Sequence, residues 1–484
     1  MKTCVVVMGI GDGSTSRALA GRYREVVTIV MPGEEPQSDM PGEQFVVFGT
    51  EDAAEVISRR FSKHEVAVKL PDTDFVDLHP CGADPEFRAA FCLQFYTLLG
   101  ERPLWMGDSV TDCLQGAWHI AAAAHLLVGA PRPDEVTPLD VPVLAIATGP
   151  SLSKHIDAIR ALQGKALIIC ADSALSGLLR NGIRPDIVTP LERVPEVVRE
   201  SFPDLHYPGV VFAGTPVVHH AIAPKFDRHI LIPGSDLLFS WAGCKPGTQF
   251  FYGQSTATLA VALGLRLSTG PVYLIGHDLC YDGAESHWGD VHPDVKTHAA
   301  EGDMPVMGND GTMKMARTWW ATFRRELGDM ARSSGRIINI NAIDGTGALI
   351  TGARAEPLPD PATLPGFTLE IPPPSPERTE AFADKLAQLP DDVRDMLVKL
   401  SVSRVAMDDL NLHRLCPGPN KDLLAYLLRS ILASVSMDHF SGNPNAIAAQ
   451  CGAQAMRNAL RGMMGTFERM AQTPICRIPA CIPA

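Results

Sequence analysis

Several apolar segments of this chain end in glycines followed by hydroxyl, carboxylate or imidazole side chains, the residue types that bind phosphate and transfer protons. The longest such stretch runs from Val143 to Asp157, where an apolar run turns at Gly149-Pro150 into an amphipathic helix. Ser151 or Ser153 is expected to cap that helix. Backbone N–H groups at such a turn can bind a phosphate, although an ordinary capped turn has the same sequence pattern.

Polar side chains follow other predicted strand ends in the same way. Because the carboxyl ends of parallel strands lie at one edge of a sheet, we expect a single nucleotide-sized site there. Besides the turn at Gly149, the residues expected at this edge are Asp172, Ser173, Glu192, Arg193, Gly276, His277, Asp278, Tyr281 and His287, with Ser255 and Thr256 at a predicted helix start.

Strands and helices that alternate along the chain must position these residues. Seven apolar runs within residues 140–355 are separated mostly by helical segments, which predicts an α/β fold with a Rossmann-like, largely parallel central sheet. The predicted strands are Val143–Ala147, Ala166–Cys170, Ile187–Pro190, Val210–Ala213, Ile230–Ile232, Val272–Ile275 and Ile337–Asn339.

The alternation of strands and helices in residues 1–135 predicts a smaller N-terminal α/β domain, which precedes the central domain of residues 140–355. Its glycine run, Gly9 to Gly13, follows the first strand but lacks the full G-x-G-x-x-G spacing, so it is a tight turn or, alternatively, a nucleotide site. A proline-rich linker (353–377) and a helical C-terminal domain (378–484) follow. The elements predicted outside the central domain are strands Cys4–Met8, Val26–Met31 and Phe45–Phe48, and helices Glu51–Phe61, Phe87–Leu99, Asp112–Leu127, Thr379–Leu389, Asp392–Lys399, Lys421–Met437 and Asn445–Met470.

The composition excludes some classes of function. A net charge of −13 argues against nucleic-acid binding, which needs a basic face. The 11 cysteines form no CxxC pair and no zinc-ligand spacing, so we expect reduced thiols and no metal centre. The chain has neither a signal-peptide pattern nor an 18-residue apolar run, so a cytoplasmic protein without a membrane span is expected. The sequence does not indicate the oligomeric state.

The motifs together resemble a known family. The segments Thr148-Gly-Pro-Ser-Leu152, Ala171-Asp-Ser173, Gly182-Ile-Arg-Pro-Asp186 with Leu191-Glu-Arg193, and Tyr273-Leu-Ile-Gly-His-Asp278 with the later Ser286-His287 resemble the motility accessory factor (Maf) flagellin glycosyltransferases. The turn is also similar to that of family 42 bacterial sialyltransferases, and the central domain to 6-hydroxymethylpterin diphosphokinase-like proteins. The resemblance implies inverting transfer of a sialic-acid-like nonulosonic sugar, such as pseudaminic or legionaminic acid, from its CMP conjugate to Ser or Thr of flagellin. No cofactor is then required, and Mg²⁺ is left open.

Under this hypothesis each strand-end residue has a role. His287 is the general base for the acceptor hydroxyl, with His277 and His292 as alternatives. Arg193 pairs with the sugar carboxylate. Asp278 or Glu192 orients Arg193 or a backbone turn. The predicted sets are catalytic His287, Arg193 and Asp278; nucleotide-binding Gly149, Pro150, Ser151, Leu152, Asp172, Ser173, Ser255, Thr256 and Gly276; and substrate-binding Glu192, His277 and Tyr281.

Two other interpretations remain. The first is a Mg²⁺-dependent, pterin-type diphosphokinase that uses ATP, which needs carboxylates to hold the ion. Asp172, Glu192 and Asp278 are the carboxylates available, but their spacing is not a ligand signature. The second is a non-catalytic flagellar assembly factor that has kept a sugar-nucleotide fold.

Overall fold

The fold was obtained as a computed structural model of the whole chain. It describes residues 4–31, 33–47, 73–78, 110–234, 237–244, 250–283, 285–289, 304–402, 415–416, 418–440 and 452–472. Two compact units divide the chain: one within Met1–Leu114 and Ala387–Ala471, and a larger one within Gln115–Leu386 and Gln472–Ala484. The predicted helices Glu51–Phe61 and Phe87–Leu99 lie outside the described residues.

Thirteen strands form three sheets within the described residues. The smaller unit has a four-stranded parallel sheet in the order β3-β2-β1-β4, and the larger unit has a seven-stranded parallel sheet in the order β13-β10-β5-β6-β7-β8-β9, with an antiparallel hairpin of β11 and β12. The strands are β1 Cys4–Met8, β2 Glu25–Val30, β3 Glu43–Val46, β4 Thr73–Asp77, β5 Val143–Ile146, β6 Leu167–Ala171, β7 Ile187–Thr189, β8 Val211–Gly214, β9 Arg228–Leu231, β10 Val272–Ile275, β11 Met304–Met307, β12 Met313–Ala316 and β13 Ile337–Asn339.

The helices of the described chain are α1 Ser14–Ala20, α2 Val110–Leu127, α3 Ile156–Ala161, α4 Asp172–Arg180, α5 Pro195–Glu200, α6 Leu237–Trp241, α7 Thr256–Leu267, α8 Thr318–Ser334, α9 Asn341–Asp344, α10 Pro376–Val402, α11 Lys421–Phe440 and α12 Gly452–Ala471. Helices α1 to α8 lie between strands along the described chain, and α9 to α12 follow the last strand. No helix among the described residues is both long enough and apolar enough to cross a bilayer.

The predicted α/β fold with a parallel central sheet is confirmed, and all seven predicted central strands are present. Their residues form near-continuous apolar runs because helices cover both faces of a parallel sheet. Val143, Leu167 and Val272 are fully buried in one core that also includes Val261 and Leu263 of α7. Burial of these aliphatic side chains is the main source of stability for the sheet.

The strand order of the seven-stranded sheet reverses at one position. From β5 the chain builds the sheet outward through β6, β7, β8 and β9, and it then returns to the other side of β5 as β10, with β13 beyond it. The strand order therefore reverses between β5 and β10, where Val143 pairs with Val272 and Ile146 with Ile275. Ligands of open parallel sheets bind beyond the carboxyl ends of the strands at such a reversal.

In the smaller unit a carboxylate occupies the glycine-rich turn after β1. Both oxygens of Glu34 lie 3.0 Å from the Ile10 N–H, and Oε2 also accepts from the Met31 N–H at 2.9 Å. Glu34 therefore bridges the ends of β1 and β2 from within the chain.

The C-terminal region is helical, as predicted, but one predicted break between two helices is wrong. Residues 379–389 and 392–399, predicted as two helices, belong to the single helix α10, which contains Pro390. A proline inside a helix removes one hydrogen bond. Burial of Leu389, Val393, Met396 and Leu400 at helical spacing compensates for that loss.

Candidate functional site

A cavity opens at the carboxyl ends of β5 and β10, at the point where the strand order reverses. Its wall combines strand ends, the start of α7 and one face of α8. Of the predicted site residues, it includes Gly149, Ser173, Ser255, Thr256, Gly276, His277 and His287. The other described residues of the wall are Ala147, Thr148, Ala257, Thr258, Leu279, Cys280, Ser286, Trp320, Phe323 and Leu327.

The turn after β5 is bonded to the end of β10. Gly149 N–H donates to the Gly276 carbonyl at 2.7 Å, and Leu152 N–H donates back to the Gly149 carbonyl at 3.1 Å. Ser151 donates twice to Asp278 Oδ2, from its N–H at 3.2 Å and its hydroxyl at 2.8 Å. The backbone donors predicted to bind phosphate at this turn thus already have acceptors within the chain.

The predicted serine caps are wrong. The turn enters a 3₁₀ helix, Pro150–His155, before α3, and no side chain caps either segment. The Ser151 hydroxyl is directed to Asp278, and the Ser153 hydroxyl donates to the Pro150 carbonyl at 2.9 Å. The proline at the first helical position has no N–H, so the segment has one donor fewer to satisfy.

Asp278 is the buried acceptor that joins the two strand ends. It is 4% exposed, and burial raises the pKa of its carboxyl to about 6, an effect that the two bonds from Ser151 partly oppose. Its Oδ1 lies 3.4 Å from Asn341 Nδ2. Asp278 lies behind the cavity wall and holds the turn of Gly149 against β10.

The backbone on either side of Asp278 adopts special conformations. Gly276 has φ of 70°, and a Cβ there would lie 2.5 Å from the Ala147 carbonyl oxygen, so only glycine fits. Leu279 has φ of 51°, the only positive value of a non-glycine residue within the described ranges. This backbone conformation costs energy in a residue as bulky as leucine, and residues in such conformations are concentrated at functional sites.

The start of α7 is the part of the wall best suited to an anion. Ser255 is its N-cap, and the Ser255 hydroxyl accepts from the Thr258 N–H at 3.0 Å. The first N–H groups of a helix, here those of Thr256 and Ala257, have no acceptor within the helix itself. They lie at the positive end of a 12-residue helix on the cavity wall.

Asp172 and Ser173 begin α4 directly after β6 and differ in position. Ser173 reaches the cavity, where its hydroxyl lies 3.5 Å from that of Thr148. Asp172 is 5% exposed, accepts from the Ser173 N–H at 2.8 Å, and lies behind the wall. Burial, with a smaller contribution from the Glu192 carboxylate, raises the pKa of Asp172 to about 7.

Two of the three histidines considered as bases lie within the described residues. His287 is half-buried on the wall, and its Nδ1 lies 2.7 Å from the Ser286 hydroxyl. Burial, and secondly the Arg317 guanidinium, lower the pKa of His287 to about 4, so the imidazole is neutral near pH 7. His277 is 1% exposed with both ring nitrogens facing carbonyl oxygens, of Ile275 and Ala257, which suits a structural role. His292 is outside the described residues.

Eight predicted residues do not belong to the described wall: Pro150, Ser151, Leu152, Asp172, Asp278, Glu192, Arg193 and Tyr281. The Arg193 carbonyl accepts from Gln115 Nε2 at 3.1 Å, and Glu192 beside it is exposed. Tyr281 accepts at its hydroxyl from Arg317 Nε at 3.1 Å and packs on Trp320, with ring centroids 5.1 Å apart.

Sequence reasoning missed the contribution of α8. Trp320 lines the cavity, 6.3 Å from the ring of His287 in an edge-to-face arrangement, and Phe323 and Leu327 follow it at helical spacing. Arg317 immediately precedes the helix, and its guanidinium stacks on Trp319 at 4.8 Å. The Trp319-Trp320 pair was the available signal, but α8 follows β12, a strand that the sequence did not predict.

Comparisons with known proteins agree with this description. The family model described as "6-hydroxymethylpterin diphosphokinase MptE-like" matches residues 124–284, which include β5 to β10 and most of the cavity wall. The central part of the chain is therefore similar to the MptE-like family.

The whole chain has a wider structural likeness. It is similar to the structure of a Maf glycosyltransferase from Magnetospirillum magneticum AMB-1, with a TM-score of 0.62 and 16% identity over 97% of this chain and 79% of that one. The resemblance to the Maf family with an MptE-like domain is thus confirmed at the level of the fold. No curated protein sequence matches the chain.

Proposed function

We propose that this chain is a protein O-glycosyltransferase that moves a nonulosonic sugar from its CMP conjugate to Ser or Thr of flagellin, with inversion, in the cytoplasm. The observation that carries the proposal is the cavity at the β5/β10 reversal, which joins a helix N-terminus for a phosphate with a neutral histidine for an acceptor hydroxyl. The likeness of the fold to a Maf glycosyltransferase over nearly the whole chain supports it.

The donor phosphate binds at the start of α7 in this proposal. The N–H groups of Thr256 and Ala257 face the leaving phosphate, and the hydroxyls of Thr148 and Ser173 add donors beside it. Negative charge on the phosphate grows as the glycosidic bond breaks, so donors that are already oriented stabilise the transition state more than the ground state.

His287 accepts the proton of the attacking hydroxyl. Its neutral form at pH 7 leaves a ring nitrogen able to accept, and the contact with Ser286 at Nδ1 fixes the ring. The new bond forms between the acceptor oxygen and the anomeric carbon, while the bond from that carbon to the CMP oxygen breaks. Arg317, close enough to lower the pKa of His287, supplies a positive charge for the anionic donor.

The match to the MptE-like family model favours one second candidate, a pterin-type diphosphokinase that uses Mg²⁺·ATP. This reaction needs carboxylates to hold the metal ion. Asp278 and Asp172 are the buried candidates, but Asp278 already accepts two bonds from Ser151, and burial favours the protonated form of both.

Ligand binding distinguishes the candidates. Thermal unfolding of the full chain is measured with CMP, a CMP-sugar or ATP, each with and without Mg²⁺, since a ligand at about 100 times its Kd adds about 2.7 kcal/mol to the unfolding free energy. We expect CMP to stabilise the protein without metal, and Ser173→Ala to weaken this. Ser176→Ala, in the same helix but bonded to the Ser201 carbonyl, is the matched control. Binding of ATP only with Mg²⁺ would favour the diphosphokinase.

Transfer itself is tested by the intact mass of flagellin co-expressed with the protein in cells that make a CMP-nonulosonic acid. We expect a mass increase that His287→Gln abolishes while CMP binding is retained. His206→Gln, at an exposed position, should leave the increase unchanged. Flagellin of unmodified mass with the wild type would contradict the proposal.

A further inference from the structure

Three histidines from distant parts of the chain meet beside the central sheet, outside the cavity wall. His119 lies on α2, and His219 and His220 follow β8. One ring nitrogen of each lies within 4.8 Å of the other two. His119 is buried, whereas the other two rings are half-buried and can be reached from solvent.

The hydrogen bonds of His119 determine where its lone pair points. Its Nε2 lies 3.0 Å from the Arg193 carbonyl oxygen, which only accepts, so Nε2 carries the proton. In the neutral ring Nδ1 then has the lone pair, and this atom lies 2.9 Å from His220 Nδ1. Histidines that ligate metals usually donate their other ring N–H to a carbonyl or carboxylate in this way.

The charge state of the cluster also suits a cation. Burial lowers the pKa of His119 to about 4 and lowers the pKa values of His219 and His220, so all three rings are neutral near pH 7. The Glu196 carboxylate is close enough to raise the pKa of His219, although burial outweighs it. The Arg193 guanidinium acts on His119 with the opposite sign, but it is the smallest of the effects on that ring.

We propose that His119, His219 and His220 form a binding site for a divalent ion of the zinc type, with the fourth position left to water or to the Glu196 carboxylate. Neutral imidazoles are good ligands for zinc, copper and nickel, and three of them with an open position are a common zinc arrangement. Zn–N bonds of about 2.0–2.1 Å place tetrahedral ligands roughly 3.4 Å apart, so closing the cluster requires ring movements of about an ångström.

Ion binding requires a proton shift in His220 and the loss of one hydrogen bond at His219. His119 keeps its Nε2 proton on the Arg193 carbonyl and ligates through Nδ1. The proton shared between the two Nδ1 atoms moves to His220 Nε2, which frees His220 Nδ1. His219 gives up its bond from the Ala221 N–H, which at 3.3 Å is long. The ion would then fix α2, the segment after β8 and the Arg193 carbonyl together, whether or not the proposed glycosyl transfer occurs.

The test uses the untagged full chain, freed of metal with a chelator and titrated with Zn²⁺ by calorimetry. We expect one ion per chain, a rise in melting temperature on addition of Zn²⁺, and a four-coordinate visible spectrum when Co²⁺ replaces it. The double variant His219→Gln/His220→Gln should lose affinity by at least about 100-fold, because two of three ligands are removed.

A matched control removes two histidines of the same unit outside the cluster. His125→Gln/His206→Gln changes a half-buried residue of α2 and an exposed loop residue, and it should bind Zn²⁺ like the wild type. Far-ultraviolet circular dichroism establishes that each variant is folded. Failure of the wild type to take up Zn²⁺, or equal uptake by the His219→Gln/His220→Gln variant, would overturn the proposal.

Discussion

Replacement of Asp278 by asparagine should make the protein more stable at alkaline pH, although it replaces a buried carboxyl group that accepts hydrogen bonds. The carboxyl is 4% exposed and, because of burial, has a pKa of about 6 in the folded chain, against an ordinary pKa of 3.8 for aspartic acid. The folded state therefore binds this proton more tightly than the unfolded state. The resulting stability is fully present below pH 3.8 and is lost as pH rises through 6.

The size of the effect follows from the two pKa values. A difference of 6 − 3.8, about 2.2 units, corresponds to about 3 kcal/mol in total. Integration from about pH 8 to pH 5 gives about 1.4 kcal/mol, since only part of the window is crossed. An amide at position 278 is neutral throughout, so its contribution does not change with pH.

The local hydrogen bonds tolerate the amide. Its oxygen can take the place of Oδ2 and accept both bonds from Ser151. Its NH₂ can donate to Asn341 Oδ1, a buried atom without a partner among the described residues, once the Asn341 amide turns over. Asp278→Asn should therefore raise the unfolding free energy by up to about 3 kcal/mol near pH 8, and this advantage should shrink by about 1.4 kcal/mol near pH 5.

Urea unfolding at the two pH values measures this difference. Tryptophan fluorescence reports on the larger unit, because five of the six tryptophans lie within residues 115–386: Trp118, Trp241, Trp288, Trp319 and Trp320. Asp157→Asn, at an exposed position of α3, is the control and should change stability little at either pH. A loss of stability at both pH values, or a difference that does not depend on pH, would refute the reasoning.

Three further outcomes are expected. Gly149→Ala should destabilise the protein by about 1–3 kcal/mol in thermal unfolding, because the added methyl group overlaps Asp278 Oδ2 and meets the Gly276 carbonyl oxygen at 2.5 Å, whereas Gly289→Ala meets nothing within 4 Å. Ser255→Ala should cost about 1 kcal/mol in urea unfolding, since the N-cap bond to α7 is lost. The kcat/KM of glycosyl transfer should stay level from about pH 8 to pH 5, because His287 with a pKa of about 4 remains neutral; a fall centred near 6.5 would contradict a base with this lowered pKa.

The strands were predictable from the sequence because burial on both faces leaves a simple pattern. Val143–Ile146 and Val272–Ile275 are wholly apolar runs, and both lie within a residue of their predicted bounds. Their order was not predictable in the same way. Nothing in the local sequence of β10 states that it pairs with β5 instead of extending the sheet beyond β9.

The three-histidine cluster could not be predicted from the spacing of residues in the sequence. Metal sites are recognised in a sequence when their ligands are closely spaced, but His119 and His220 are 101 residues apart. Only the packing of α2 beside the segment after β8 brings them together. The sequence prediction of no metal centre rested on spacing, which carries no information about such a contact.

The polar residues predicted at the strand ends fall into two groups in the structure, those that line the cavity and those that bond to each other behind it. Ser151 and Asp278 bond to each other, because a buried carboxylate without donors would be costly. On the cavity wall lie the first N–H groups of α7, which have no acceptor within the helix, and the hydroxyls of Thr148 and Ser173. In a site of this type the most recognisable motif can therefore be the scaffold, and the residues beside it can be the ones that bind.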